Sequence, residues 1–448
     1  MSRGRVVVVG GGLAGITAAL DCAEAGARVT LVEVRRRLGG AAYSFEREGM
    51  RLDNGQHVFL RCCTAYRALL ARLGSERHVA VQERLEIPVL SPGKPPVLLR
   101  RGSLPPPFHL AGALARYPYL KPAQRLSAAL AARALSALDT TDPALDERTL
   151  GDWLGDLGQN EQSLAALWDL IALPTLNLPA REASLALGAF VFQTGLLASA
   201  DAGDIGFHVG TLADVIGDPA ERALADAGVE YRLGWRAQEL KRTEGGFEVQ
   251  TPEGDGLSAE AVIVALPHAR AAGLIEPLLP RQAESIRGLG SSPIINLHVL
   301  YDRTVCEEPF AAGVGTPVQY LFDRSAAAGA PPGCQYLAVS LSGAEPEMEL
   351  GAAQLRERYL PAIEALLPGA RGAKVESFLA TREHAATFRA VPGCAALRPG
   401  PVTEVPGLVL AGSWTATGWP ATLESAVMSG HVAARAALAR LAPEAVGA

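Results

Sequence analysis

Hydrophobic positions along this chain follow two periods. Short unbroken apolar runs, rich in β-branched residues, occur at Arg5–Val9, Arg28–Val32, Ala261–Ala265 and Leu408–Ala411. Such runs read as strands buried on both faces, the pattern of a parallel sheet. Leu13–Ala25 places apolar residues at helical spacing, and Gly26 stands where a helix would close. Strand, helix and strand in immediate succession predict a βαβ unit at the start of the chain.

Helical spacing also predicts helices at Tyr66–Leu73, Ala123–Leu138, Thr149–Leu157, Glu161–Ile171, Glu182–Leu197, Thr211–Ala227, Leu355–Leu367 and Thr422–Ala442. Strands are expected at Val229–Leu233, Ala237–Arg242, Phe247–Thr251, Ile294–Tyr301 and Gln335–Ser342, with turn signals at Gly245–Gly246 and Gly254–Gly256. Residues 75 to 200 therefore read as a mainly helical insertion in an α/β chain that is α+β overall.

Composition narrows the class. The 448 residues suit two or three domains, and 49% hydrophobic residues supply a large core rather than disorder. A net charge of −6 argues against a nucleic-acid binder. The six cysteines form neither a Cys-x-x-Cys pair nor a cluster with histidine at zinc spacing, so free thiols in a reducing cytosol and no metal site are expected. Val6–Val9 runs straight into glycines, unlike a secretory signal. Ala183–Ala200 carries no charge, but Ser184, Gln193, Thr194, Gly195 and Ser199 favour a buried helix over a membrane span. Ile87–Leu138 contains no acidic residue and seven basic ones, its first half proline-rich and expected as loop and hairpin.

Four motifs carry chemistry. Gly10-Gly11-Gly12-Leu13-Ala14-Gly15 follows a strand and opens a helix, with Glu33 ending the next strand, the context that a dinucleotide fingerprint requires. Gly10 permits the turn, Gly12 lets backbone approach a pyrophosphate, and Gly15 lets helix and strand pack. The helix start at Leu13 and Ala14 offers N–H groups to phosphate, while Glu33 is placed for ribose hydroxyls. Val34 and Arg35, then Arg36-Arg37-Leu38-Gly39-Gly40, suit a second pass of chain along the diphosphate; a solvated basic loop is the plain alternative. Asp53-Asn54-Gly55-Gln56-His57 mixes acid, amide and imidazole around one glycine, fit to sit over a reactive ring or to donate a proton, or else to form a simple turn. Gly412-Ser413-Trp414 leads through Gly418-Trp419-Pro420 to a helix start at Thr422-Leu423-Glu424, whose positive end would favour charge on a reduced ring.

Val6–Gly40 and Leu408–Gly430 together resemble the FAD-dependent amine oxidase and phytoene desaturase superfamily. The resemblance covers most of the chain, including Gly228–Pro267, where such proteins cradle adenine with backbone near Ala237. Asp53–Phe59, Cys62-Cys63, Tyr66, Leu173-Pro174-Thr175-Leu176-Asn177 and Gly412–Pro420 are most similar to one branch, the squalene-associated FAD-dependent desaturases or hydroxysqualene dehydroxylases of bacterial hopanoid pathways. Three departures separate the chain from amine oxidases. The strand that resembles their lysine-bearing one reads Pro293-Ile294-Ile295-Asn296-Leu297-His298; Ala41 follows the Gly-Gly pair where arginine is usual; and the closing motif has no cysteine to tether a flavin.

What the resemblance implies is a Rossmann-like FAD-binding domain (residues 1–75, 205–275 and 385–448) with a discontinuous, helix-rich substrate domain (76–204 and 276–384). FAD would be held non-covalently, and hydroxysqualene reduced to squalene through an allylic cation. Asp53 and His57 are the candidate proton donors, with Gln56 positioning and Trp419 or Trp414 facing the cation. The substrate would be a hydrophobic isoprenoid met at the inner face of the cell membrane, alongside other enzymes of the pathway. Ala183–Ala200 is the expected pocket wall. Ile87–Leu138 is the expected docking surface, with its prolines, leucines, Phe108, Tyr117 and Tyr119 entering the interface. Competing readings are a carotenoid-type desaturase, an isomerase like UDP-galactopyranose mutase, and a non-catalytic isoprenoid carrier.

Overall fold

The structure, a computed structural model, describes residues 4–441. Five parallel strands form the first sheet in the order Glu230–Leu233, Arg28–Glu33, Arg5–Val9, Ala261–Val264, Leu408–Leu410. Alternation along these strands sends their side chains into two layers. Val6, Val8, Leu31, Ile263 and Val409 pack with helices Leu13–Glu24 and Leu423–Leu441. Val7, Val9, Val264 and Leu410 pack with a three-stranded antiparallel sheet, Glu239–Thr243, Gly246–Gln250 and Gly256–Ala259, and with helix His268–Ile275. Burial on both faces explains why Arg5–Val9, Ala261–Val264 and Leu408–Leu410 carry no polar alternation, whereas the edge strand Glu230–Leu233 does.

The two helices of the first layer cross closely. A Cβ on Gly430 would lie 2.5 Å from the Ala14 carbonyl oxygen, so only glycine allows this approach. Asp21 ties the same layer together: one oxygen accepts from Arg72 and the other from His431 Nδ1, each at 2.6 Å. Burial pushes the Asp21 carboxyl up, but the hydrogen bonds from His431 and Arg72 outweigh it and hold the group below its ordinary value of 3.8. A depressed carboxyl stabilises the fold above its unfolded pKa, and that contribution is lost as pH falls through the folded value. Asp21→Asn should therefore cost about 1 kcal/mol at pH 7. Urea unfolding should show the gap from wild type closing between about pH 5 and pH 3.

A second, seven-stranded sheet runs Val375–Thr387, Ser292–Tyr301, Gln335–Ser342, Tyr320–Asp323, Phe310–Gly313, Glu86–Leu90, Val97–Arg100. It is antiparallel except where Phe310–Gly313 meets Glu86–Leu90. The helices Pro122–Leu135, Leu150–Asp156, Glu161–Leu176 and Leu185–Leu197 follow in the chain. The start of the stretch expected to be mainly helical is thus sheet: Val79–Val81, Glu86–Leu90 and Val97–Arg100 are strands, the last two forming the expected hairpin. Pro88 is tolerated inside its strand. Gly256–Ala259, a strand not expected from the sequence, follows the turn signalled at Gly254–Gly256 and completes the small sheet. Within Ala183–Ala200, Leu185–Leu197 is a largely buried helix, capped by Ser184, whose hydroxyl accepts from the Leu187 N–H, while Ala198 and Ser199 are exposed. No helix of the described residues is long and apolar enough to cross a membrane.

Candidate functional site

The first strand ends at a cradle of glycines. Gly10 has φ 115°, and a Cβ on Gly15 would lie 1.9 Å from the Gly10 carbonyl oxygen. The second glycine pair comes back onto the first: Gly39 N–H donates to the Gly11 carbonyl (2.9 Å), and a Cβ on Gly40 would lie 2.7 Å from the Gly12 Cα. No side chain caps the helix start at Gly12, so its first N–H groups are available to an anion. Buried Leu13 and Ala14 seat that helix in the core.

Glu33 ends the second strand, 8% exposed, its carboxylate accepting from the N–H groups of Gly11 (2.7 Å) and Arg35 (2.8 Å). Each carboxylate oxygen has two acceptor directions, so ribose hydroxyls can still be received. Val34 and Arg35 are exposed beside it. The Trp235 N–H donates to the Glu33 carbonyl (2.9 Å), which brings the loop containing Ala237 along the same edge. Arg37 closes the cradle by donating to the Gly40 carbonyl (3.1 Å) and stacking 3.5 Å over the Tyr43 ring. Glycines that a Cβ would fill, an uncapped helix start and a carboxylate at the strand end fit the adenosine diphosphate of a dinucleotide.

Asn54 joins this cradle to the second sheet. Its amide N–H groups donate to the Ala41 carbonyl and to Glu383, both at 2.9 Å, and its oxygen accepts from Tyr43 N–H (3.1 Å). Its carbonyl accepts from Asn296 (3.1 Å) and Thr381 (2.8 Å) of the neighbouring strands. The Asn296 side chain lies against Gly55, where a Cβ would meet its nitrogen at 2.4 Å. The strand Ser292–Tyr301 therefore presents an amide, already engaged, at the turn Asn54–Gly55.

Asp53 and His57 have different surroundings. Asp53 is 8% exposed and accepts from Ser44 (2.7 Å), Leu212 N–H (2.8 Å) and the Arg324 guanidinium (3.0 Å). Arg324 also donates to the carbonyls of His208 and Gly210. His57 is partly buried, its Nδ1 hydrogen-bonded to the Gly55 carbonyl (3.0 Å), which leaves Nε2 as its free atom. Burial pushes His57 below its ordinary value, offset in part by the Gly55 carbonyl. Its own carbonyl accepts from His208 Nδ1 (3.0 Å), while His208 Nε2 accepts from the Tyr66 hydroxyl (2.8 Å). Burial takes His208 down to about 3, so it stays neutral and serves as a strut. The Gln56 amide donates to the His57 carbonyl (3.2 Å), and its oxygen is buried without a partner among the described residues. Gln56, Asp53, Arg324 and Tyr336 line one small cleft.

The closing motif is held by a residue that sequence reading missed. Arg398 is 8% exposed and donates to the carbonyls of Ser413 (3.3 Å), Trp414 (3.3 Å), Thr415 (2.6 Å) and Trp419 (2.7 Å). Its guanidinium stacks 4.8 Å from the Phe388 ring, and burial lowers it to about 10. No local pattern marks it; the only signal was an arginine shortly before an apolar strand. Gly412 has φ 142° and its N–H donates to Ser429 (2.8 Å). The indole of Trp414 closes on Gly412, donates to the Leu266 carbonyl (2.9 Å) and is 3% exposed. Trp414 is thus packed into the core, while Trp419, the other aromatic candidate, keeps part of its ring accessible. Trp419 is partly exposed and meets Phe190 edge-on at 5.1 Å. Thr422 caps the last helix, accepting from Ser425 N–H (3.2 Å), with Leu423 partly exposed beside it. Glu424 is buried and accepts from the N–H groups of Ala65 (2.9 Å) and Tyr66 (2.7 Å), joining the closing helix to the helix Thr64–Arg72.

A glycine cradle on a parallel sheet, a ribose-side carboxylate and a closing strand–loop–helix on the same sheet define a dinucleotide-binding protein. The model of the family described as flavin containing amine oxidoreductase matches residues 13–438, and the chain belongs to that family. It is a flavin-dependent oxidoreductase. Hydroxysqualene dehydroxylase of Sinorhizobium fredii is 28% identical over 446 residues, covering 97% of this chain and 98% of the relative. Zeta-carotene desaturase of Synechocystis is 24% identical over 489 residues, covering 98% of both chains. Among solved structures, putrescine oxidase bound to putrescine superposes with a TM-score of 0.74 at 19% identity, covering 98% of this chain and 99% of that one. This confirms the expected fold class.

Proposed function

We propose that this protein carries out FAD-dependent reductive dehydroxylation of hydroxysqualene to squalene, a step toward hopanoids, and takes its substrate at the inner face of the cell membrane. The observation that carries this reading is the near full-length similarity to hydroxysqualene dehydroxylases. The site is compatible with it. Ser292–Tyr301 has no lysine, and the ring edge of Phe190 meets Trp419 beside the closing loop. FAD would sit non-covalently on Gly10, Gly12, Leu13, Ala14, Gly15, Glu33, Val34, Arg35, Gly39, Gly40 and Ala237 at its adenosine diphosphate end. Its ring would meet Gln56, His57, Gly412, Ser413, Thr422 and Leu423. Residues 1–75, 205–275 and 385–448 would form the flavin unit, with 76–204 and 276–384 the substrate unit.

Reduced flavin, when bound, supplies the hydride. The chain must supply a proton to the leaving hydroxyl, so that R–OH, a proton and a hydride become R–H and water. His57 is the better placed donor. Its Nδ1 is held by the Gly55 carbonyl, so its proton would leave from Nε2, whereas both Asp53 oxygens already receive hydrogen bonds. Asp53 then acts as a positioning residue, keeping Arg324 against His208 and so steadying His57 through its carbonyl. Gln56 braces the same carbonyl, and Trp419 offers its ring face to the allylic cation.

Chemically reduced protein mixed anaerobically with hydroxysqualene should yield one squalene per flavin reoxidised. Absence of squalene, or conversion of a polyene by the oxidised protein alone, would favour the desaturase reading. His57→Gln should lower the rate roughly 100-fold with flavin retained. Because His57 titrates below its ordinary value, its charged form is scarce at neutral pH. The wild-type rate should therefore rise about tenfold per unit as pH falls from about 8 toward 6.5, a dependence that His57→Gln removes.

A further inference from the structure

The acid-free stretch Ile87–Leu138 does not present the surface its sequence suggests. Tyr117 is fully buried, its hydroxyl donating to the Ala166 carbonyl, and Tyr119 is 4% exposed, so neither can enter lipid. Three of the basic residues are already committed. Arg101 binds buried Asp204 (2.7 Å), Arg100 pairs with Glu86, and Arg125 donates to the Leu120 and Ala115 carbonyls. What remains is a smaller and sharper feature. Phe108 is 58% exposed, Leu104 57%, Leu126 64% and Leu130 60%. Leu126 and Leu130 lie one turn apart on Pro122–Leu135, and Arg133 follows on the same face. Ala128, Ala131 and Leu135 bury the opposite face, so this helix turns a leucine pair outward with its inward packing already complete. Lys94, Arg116, Lys121 and Arg133 are exposed and form no ion pair among the described residues; Lys94 stands 5.1 Å over the Tyr119 ring.

Large apolar side chains held out of the surface, on a segment that also carries exposed cations without ion-pair partners, mark an interface with something both apolar and anionic. Resting on the proposed function, we propose that Leu104, Phe108, Leu126 and Leu130 insert into a membrane containing anionic phospholipid, with Lys94, Arg116, Lys121 and Arg133 on its headgroups. Within Ile87–Leu138 itself no acidic residue opposes them. The arrangement also leads inward. Gln193 donates to the Leu135 and Leu138 carbonyls (both 2.8 Å), stitching the end of the outward helix to the helix that carries Phe190, which meets Trp419. The inserted face is thus one helix removed from the apolar wall of the candidate site.

Flotation of the full-length holoprotein with vesicles of phosphatidylcholine and about 30% phosphatidylglycerol tests this directly. Binding is expected at low salt, at least tenfold weaker on pure phosphatidylcholine, and at least tenfold weaker for the double variant Leu126→Ser, Leu130→Ser. The double variant should keep wild-type turnover on detergent-dispersed hydroxysqualene, which separates docking from catalysis. Leu126→Trp, placed singly, should gain a blue-shifted emission that brominated lipids quench. Equal flotation of wild type and double variant, or a tryptophan at position 126 that brominated lipid leaves unquenched, overturns the proposal. Lipid binding without any dehydroxylation would overturn the functional reading and leave the surface standing.

Discussion

Gly15→Ala is expected to strip the protein of its flavin. The new Cβ would stand 1.9 Å from the Gly10 carbonyl oxygen, and its next neighbours are the Gly10 carbonyl carbon at 3.1 Å and the Ala265 Cβ at 3.3 Å. None of these is a flexible side-chain end. Relief requires the helix Leu13–Glu24 to move off the strand Arg5–Val9, or Gly10 to turn its carbonyl away. Either motion spoils the cradle where phosphate would meet the uncapped N–H groups. Overpacking of this kind costs about 3 kcal/mol. If that cost falls on the bound conformation, affinity drops by roughly 100-fold. Absorbance of the purified protein near the flavin bands, and titration of stripped protein with FAD, would measure it. Gly112→Ala, on the exposed helix Ala111–Ala115, is the matched control and should keep its flavin. Full flavin occupancy in Gly15→Ala would refute the assignment of this turn to the diphosphate.

Arg398→Met should be nearly as damaging by a different route. One guanidinium serves the carbonyls of Ser413, Trp414, Thr415 and Trp419, drawing a loop of seven residues around itself. Methionine fills similar volume but returns no hydrogen bond, leaving buried carbonyl groups unsatisfied at about 1–3 kcal/mol each before relaxation. A net loss of about 3–5 kcal/mol is expected, at the severe end for a single substitution. Arg398→Lys should recover part of it, because an ammonium reaches fewer carbonyls than a planar fork. The informative readout is the comparison of unfolding with flavin release. If the loop meets the ring, Arg398→Met will lose flavin at denaturant concentrations where the protein is still folded.

The parts of the site legible in sequence were those whose chemistry is local. Gly10–Gly15 with Glu33 announces itself because turn, helix start and strand end follow one another within a single βαβ unit. Gly412–Glu424 was legible for the same reason. What sequence could not show are partnerships between distant segments. Arg324 meets Asp53 across 271 positions, and no spacing rule connects them. His208 and Tyr66, 142 positions apart, become a strut only because Ile205–His208 pairs beside Val58–Leu60. The donors that surround Asp53, from Ser44, Leu212 and Arg324, are likewise invisible in the sequence beside it. The long strand Val375–Thr387 was missed for a related reason. Its residues are half-buried or exposed and its pairing is bulged, so its sequence lacks clean alternation.

The junction at Glu424 carries a consequence for synthesis. This carboxylate completes the helix Thr64–Arg72 by accepting its first N–H groups from a position 358 residues later than Tyr66. The strand Leu408–Leu410 likewise adds the last edge to a sheet begun at Arg5. On the ribosome, the edge of the first βαβ unit is covered once Ala261–Val264 has been made, but its helix face waits through nearly the whole of translation for the closing helix. Closing so long a loop is entropically slow. Dinucleotide present during that wait would find the phosphate cradle made but the ring end absent. Capture of cofactor and completion of the fold thus become a single late event, and a chain stalled before Leu408 would be expected to hold flavin poorly and to depend on chaperones.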